Sequence, residues 1–175
     1  MKFNTKTIHG GQSPDSAFGS VMPPIYQTST YAQKSPGQHQ GYEYSRTHNP
    51  TRHLLEKSFA SIESGNFGLA FGSGLAAIDA VIKLLSPGDE VISTNDLYGG
   101  TYRLFTKIFQ KYDIEFRFIP MGSTKNIESV ITSKTKLIWV ETPTNPMLNI
   151  VDVKAISKLI KDKDIILAVD NTFAT

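Results

Sequence analysis

The sequence predicts an α/β protein: a mostly parallel sheet with helices on both faces, preceded by a loop-rich N-terminal arm. Three observations carry this. Beyond residue 88, short β-branched runs at 90–94, 114–119, 136–141 and 165–169 alternate with amphipathic stretches near 100–112, 125–132 and 152–161, the mark of strand–helix–strand units. Upstream, Gly72-Ser73-Gly74 joins a short apolar piece to a helical pattern. The first 50 residues carry Gly10-Gly11, Ser13-Pro14, Pro23-Pro24, Ser35-Pro36-Gly37 and Asn49-Pro50, with little periodicity between them.

Taken in order, the arm spans 1–48. So long a segment without its own elements is expected to be ordered by packing on something else, a second subunit being the natural candidate. A second segment, 49–175, begins where Asn49 caps a helix and Pro50 suits its first turn; Leu54, Leu55, Phe59 and Ile62 then share one face up to Gly65. Phe67-Gly68-Leu69-Ala70-Phe71 reads as a short apolar strand. The next helix, with Leu75, Ile78, Val81, Ile82 and Leu85, is apolar nearly all round and hence expected to be buried, until Ser86-Pro87-Gly88 ends it.

Composition removes several functional classes. A chain of 175 residues buries roughly 70% of its unfolded surface, so no metal or disulfide staple is needed. Without cysteine there is no disulfide framework, no thiolate nucleophile and no thiolate zinc site, which fits a reducing compartment. With 18 Lys+Arg against 16 Asp+Glu and no basic stripe, nucleic acid is not the expected partner. No window approaches a membrane span, and Met1-Lys2-Phe3-Asn4-Thr5-Lys6 lacks the apolar core of a secretory signal, so a soluble, cytoplasmic protein is expected. His9, His39, His48 and His53 have no metal-site spacing and read as surface or turn residues; no metal is expected.

In parallel sheets ligands bind at the carboxyl ends of the strands. Ser73, Gly74 and Leu75 stand at such an end, at a helix N-terminus whose free N–H groups and dipole favour an anion. They read as a phosphate site or as a tight strand-to-helix turn. The same stretch matches Gly-x-Gly-x-x-Ala, a loose dinucleotide fingerprint, but no acid is well placed for a ribose. A nucleophile elbow fails for want of glycine at Phe71 and Leu75, and no Gly-Lys dipeptide supplies a nucleotide P-loop. Asp170 follows the apolar run Ile165-Ile166-Leu167-Ala168-Val169, expected to be buried on both faces. A carboxylate emerging there either caps a turn or faces a cationic nitrogen such as a pyridinium. Tyr98 offers either simple packing or a stacking face for a planar cofactor. Arg46, in the polar loop Glu43-Tyr44-Ser45-Arg46, matters if its fork reaches a phosphate or carboxylate.

Together, the stretch from Tyr42 to Arg52, Gly72-Ser73-Gly74-Leu75-Ala76-Ala77, Asp96-Leu97-Tyr98-Gly99-Gly100-Thr101-Tyr102-Arg103, Glu141-Thr142-Pro143-Thr144-Asn145-Pro146 and Val169-Asp170-Asn171-Thr172-Phe173 resemble the Cys/Met-metabolism family of pyridoxal-phosphate enzymes. The cystathionine γ-synthases and γ-lyases look closest. The resemblance implies the aspartate-aminotransferase-like fold type I and pyridoxal 5'-phosphate as cofactor. It also implies amino-acid substrates, γ-replacement or γ-elimination in transsulfuration, and a dimer-based homotetramer whose sites are shared between subunits. It implies that Ser73, Gly74 and Leu75 hold the cofactor phosphate, reached by Tyr44 and Arg46 from a neighbouring subunit, to which the arm crosses. Tyr98 would stack on the pyridine ring and Asp170 pair with its nitrogen, making these two the catalytic residues. Arg46, Tyr98, Arg103 and Asn145 would approach the substrate, Asn145 also the ring oxygen.

The family carries its Schiff-base lysine in a Ser-x-Thr-Lys segment shortly beyond the position of Asp170-Asn171-Thr172, and this sequence runs to Thr175. Lys134, Lys136 and Lys163 match no such position. The residues given are therefore expected to lack that lysine, the arginine for the substrate carboxylate and the C-terminal domain, leaving the large domain over 49–175 incomplete and inactive by itself. Two other classes stand beside this reading: an NAD-dependent oxidoreductase, on the glycine match, and a non-catalytic assembly module, on the absent lysine.

Overall fold

The computed structural model describes residues 1–174, and their contacts group them into two units, Met1–Phe71 and the described residues from Gly72 onward. In the first, helix α1 (Phe3–His9) corrects the expectation of an arm without elements. Its β-branched Thr5, Thr7 and Ile8 are weak helix formers, so local sequence gave little sign of it. Contact with α2 (Pro50–Ile62) supplies what propensity does not. Gly11, at φ +72°, makes that contact: a Cβ there would fall 2.4 Å from the Lys57 carbonyl oxygen.

Helix α2 begins as expected, with the Asn49 side chain accepting from the Thr51 N–H at 2.8 Å. The same side chain orders the loop before it. Asn49 Nδ2 donates to the Tyr26 carbonyl, the Tyr31 hydroxyl and Ser45 Oγ at 3.1, 3.2 and 2.9 Å. Tyr42 stacks on His48, and His48 meets His53 edge-on, both at 5.0 Å between centroids. These two histidines are half-buried in an aromatic cluster, not surface or turn residues. Burial, with Lys57 and His48 adding, lowers the His53 pKa.

One further expectation needs correction. Phe67-Gly68-Leu69-Ala70-Phe71 is not a strand: among the described residues it joins no ladder, and Phe67 is 89% exposed. Its β-favouring residues have no neighbouring strand to pair with, and the Ala70 N–H turns instead to Glu56 Oε1 at 3.0 Å. Leu55 and Phe59 of α2 are likewise exposed on that helix's apolar face.

In the second unit, β1 (Glu90–Thr94), β2 (Glu115–Ile119), β3 (Thr135–Glu141) and β4 (Ile166–Asp170) form a parallel sheet in the order β2-β1-β3-β4. Strand alternation sends side chains to two cores. On one face Val91, Leu137 and Trp139 pack with Ile78 and Ile82 of α3 (Gly74–Ile82) and with Phe105 and Phe109. Those phenylalanines follow α4 (Gly99–Arg103), whose helical path continues as a π turn over Leu104–Ile108 and a 3₁₀ turn over Phe109–Tyr112. On the other face Ile92, Ile138 and Val140 meet Ile127 of α5 (Thr124–Glu128) and Ile156 of α6 (Val153–Leu159). The result is the predicted sheet with helices on both faces.

Glu90 closes the amino end of this sheet, where its buried carboxylate accepts from Arg117 Nη2 and Thr135 Oγ1, both at 2.7 Å. It therefore faces away from the ligand-binding edge. Strand β4 departs from the expected two-sided burial: Ile166 is 43% and Val169 38% exposed, because β4 is an edge of the described sheet.

Candidate active site

The carboxyl ends of β1, β3 and β4 converge with the start of α3 on one cavity of about 380 Å³. That volume lies within the range of small-molecule sites. Ser73, Gly74, Leu75, Tyr98, Asn145 and Asp170 line it, as the sequence predicts, together with Glu141, Thr172 and Phe173.

At the α3 end, Ser73 caps the helix, its Oγ accepting from the Ala76 N–H at 3.1 Å. Helical geometry leaves the N–H groups of Gly74 and Leu75 without intrahelical acceptors. A Cβ placed at Gly72 or Gly74 would meet nothing within 4 Å, so the space before these groups is open. The donors, the dipole and the clearance fit a phosphate. Among the described residues no group of acids and histidines could hold a metal ion.

The strand ends supply the acids. Parallel pairing sets Glu141 beside Asp170. Leu137 and Trp139 on β3 and Ala168 on β4 belong to the α3-side core, so period-two alternation turns both carboxylates toward α3. Asp170 Oδ1 accepts from the Thr172 N–H at 3.2 Å and from Thr172 Oγ1 at 2.6 Å. The turn-capping reading of Asp170 thus holds, while the same side chain also lines the cavity.

Glu141 is only 4% exposed. Its Oε2 accepts from the Tyr98 backbone N–H at 2.9 Å and its Oε1 from the Asn145 N–H at 2.8 Å. Burial raises its pKa; the two N–H bonds oppose this, and the charges of Asp170 and Asp96 add to it. Sequence reading passed over Glu141 as a site residue. The signal that singled out Asp170, an acid ending an apolar strand, was equally present at Val140-Glu141.

Tyr98, 46% exposed, is the N-cap residue of α4. Its ring lies over Gly100, where a Cβ would come within 2.3 Å of Tyr98 Cε1, so glycine is what admits the ring there. Asp96 secures the loop after β3, accepting from Thr144 Oγ1 and, at 3.2 Å each, from the Met147 N–H and Asn149 Nδ2. Arg103 is not among the cavity residues; a guanidinium nitrogen lies 3.4 Å from where a Gly99 Cβ would stand. Tyr44 and Arg46 belong to the first unit, where the Arg46 guanidinium sits 4.9 Å over the Tyr44 ring centroid.

An anion-cradling helix start, an aromatic ring and a carboxylate around one cavity define an α/β domain suited to a phosphorylated heterocycle. The profile of the family described as Cys/Met metabolism PLP-dependent enzyme matches residues 4–175, and the chain belongs to that family, whose cofactor is pyridoxal phosphate. A cystathionine β-lyase of Coxiella burnetii is 50% identical over 173 residues, covering 98% of this chain and 45% of its own length. A cystathionine γ-lyase of Bacillus subtilis is 50% identical over 175 residues, covering 100% of this chain and 46% of its own. The crystal structure of cystathionine γ-lyase from Lactobacillus plantarum complexed with L-serine superimposes with a TM-score of 0.95 at 47% identity, over 100% of this chain and 46% of that one. The chain thus spans about half the length of these relatives. Family membership decides the cofactor in favour of pyridoxal phosphate over a dinucleotide. Among the described residues no helix is long and apolar enough to cross a membrane.

Proposed function

We propose that the full-length protein is a cytoplasmic transsulfuration enzyme acting on sulfur amino acids, of the cystathionine γ-lyase or γ-synthase type. The observation that carries this reading is the convergence of Ser73, Gly74, Leu75, Tyr98, Asn145 and Asp170 on one cavity in a chain of this family. When bound, pyridoxal phosphate supplies an electron-withdrawing pyridinium that accepts charge developing on the substrate carbon skeleton.

The protein's own residues bind and orient. The N–H groups of Gly74 and Leu75, at the positive end of α3, take the phosphate, with Ser73 fixing the helix start. Tyr44 and Arg46 reach the same phosphate from a neighbouring subunit, in a tetramer built of site-sharing dimers. Tyr98 gives the ring a stacking face. Asp170 accepts the hydrogen bond of the ring N–H and keeps that nitrogen protonated, while the Thr172 bonds hold its carboxylate in place. Asn145 addresses the ring oxygen and, with Arg103 and Arg46, the substrate.

Product analysis tests the reaction. Incubated with L-cystathionine, the full-length protein is expected to release 2-oxobutyrate, the product of γ-cleavage. A γ-synthase would instead condense an activated homoserine ester with cysteine. Cleavage at the β-carbon, the second reading favoured by the β-lyase relative, would yield pyruvate. Turnover in none of these assays overturns the proposal.

A further inference from the structure

We propose that Glu141 is a positioning residue of the cofactor site, its one carboxylate holding the backbones of Tyr98 and Asn145 at fixed places on the cavity wall. The inference rests on reading this cavity as the pyridoxal-phosphate site.

Tyr98 and Asn145 lie on different loops, after β1 and after β3, 47 positions apart in sequence. Glu141 takes one N–H from each, through different oxygens, at 2.9 and 2.8 Å. Neither oxygen can be spared without releasing a loop. Its own backbone is fixed, since its N–H donates to Thr94 Oγ1 at 3.3 Å on β1. The tie is therefore anchored in two strands. Asp96 independently secures the residues just past Asn145, through the Met147 N–H and Asn149 Nδ2, so Glu141 acts on the segment nearest the cavity.

The environment is not one that a carboxylate chooses for stability. Glu141 is nearly inaccessible, and the neighbouring charges that act on it, Asp170 and Asp96, are both acidic. A buried acceptor with two well-formed bonds in such surroundings acts by fixing geometry. The geometry it sets is that of a stacking ring and of an amide facing the cofactor. A displacement of these by 1 Å costs about 100-fold in rate.

The test compares full-length wild type with Glu141→Gln and Glu141→Asp. Glutamine can accept only one of the two N–H bonds and aspartate cannot reach both, so each variant should keep its melting profile broadly yet lose kcat about 100-fold, with KM changed far less. The visible circular dichroism of the bound cofactor, which reports ring orientation, should change in both. Wild-type rates and an unchanged cofactor spectrum in Glu141→Gln would overturn the proposal. If the variants fail to fold, amide hydrogen exchange in the wild type decides: slow exchange at both Tyr98 and Asn145 supports the tie, and fast exchange at either refutes it. Failure of wild type to bind pyridoxal phosphate would refute the underlying site reading instead.

Discussion

Asp170 and Glu141 end adjacent strands with the same chemistry and different surroundings. Both line the cavity, but Asp170 is half-buried and leans on Thr172, whereas Glu141 is nearly inaccessible and spends both oxygens on backbone. Replacing Asp170 by Asn removes the charge that keeps a ring nitrogen protonated. The variant should retain part of its cofactor and lose about 100-fold or more in kcat; near-normal turnover would exclude the pairing. Glu141 makes a different prediction, in stability. Because its folded pKa is raised above its unfolded value, the stability tied to its protonation is present below the ordinary glutamate pKa and lost as pH rises through the raised one. Relative to Glu141→Gln, which does not titrate, wild type should therefore gain in melting temperature as pH falls from neutral toward about 4.5, the ordinary value. A difference independent of pH would contradict the burial argument. Both acids carried the same positional signal, an acid ending an apolar strand, but what Glu141 binds depends on N–H groups brought together by folding.

The elements of the two units owe their form to a mixture of local and distant causes. Helix α2 starts where Asn49 and Pro50 require it, and β1 occupies the β-branched run at 90–94. Helix α1 and the irregular path of Phe67–Phe71 follow from contacts instead: the first exists against α2, and the second lacks a neighbouring strand. The stretch at 100–112 shows the same division. Its periodicity announces a helix, but the described path passes from α to π to 3₁₀ geometry while burying Phe105 against Phe116 and Trp139, with ring centroids 4.5 and 5.7 Å away. Its first turn carries a prediction. Gly100→Ala would drive a methyl group into the Tyr98 ring and turn it from its place. Pyridoxal phosphate should then dissociate about 10-fold more readily, the worth of one aromatic contact. Unchanged affinity, measured by equilibrium dialysis, would mean that the ring does not stack.

At the scale of the whole molecule, the proposed sharing of the site between subunits makes a prediction that no single subunit can meet. Under that proposal, Arg46→Ala and Asp170→Asn should each inactivate the site from opposite subunits. Mixed after dissociation and reassembled, they should recover about a quarter of wild-type activity, since half of random dimers are hybrids with one intact site of two. No recovery would place Arg46 and Asp170 of one site on the same chain. The sequence by itself determined the parallel sheet and the Ser73 helix start, because strand runs, capping and turn chemistry are written in neighbouring residues; the family followed from the resemblance of its motifs taken together. It also placed Tyr98, Asn145 and Asp170 at strand ends, where ligands of such sheets bind. Only the tertiary structure decided that those ends enclose one cavity, that β4 is an edge of the described sheet, and that Glu141 joins the loops bearing Tyr98 and Asn145. The physical reason is that a hydrogen bond across 43 residues leaves no periodicity in the chain; it exists only once β3 lies beside β1.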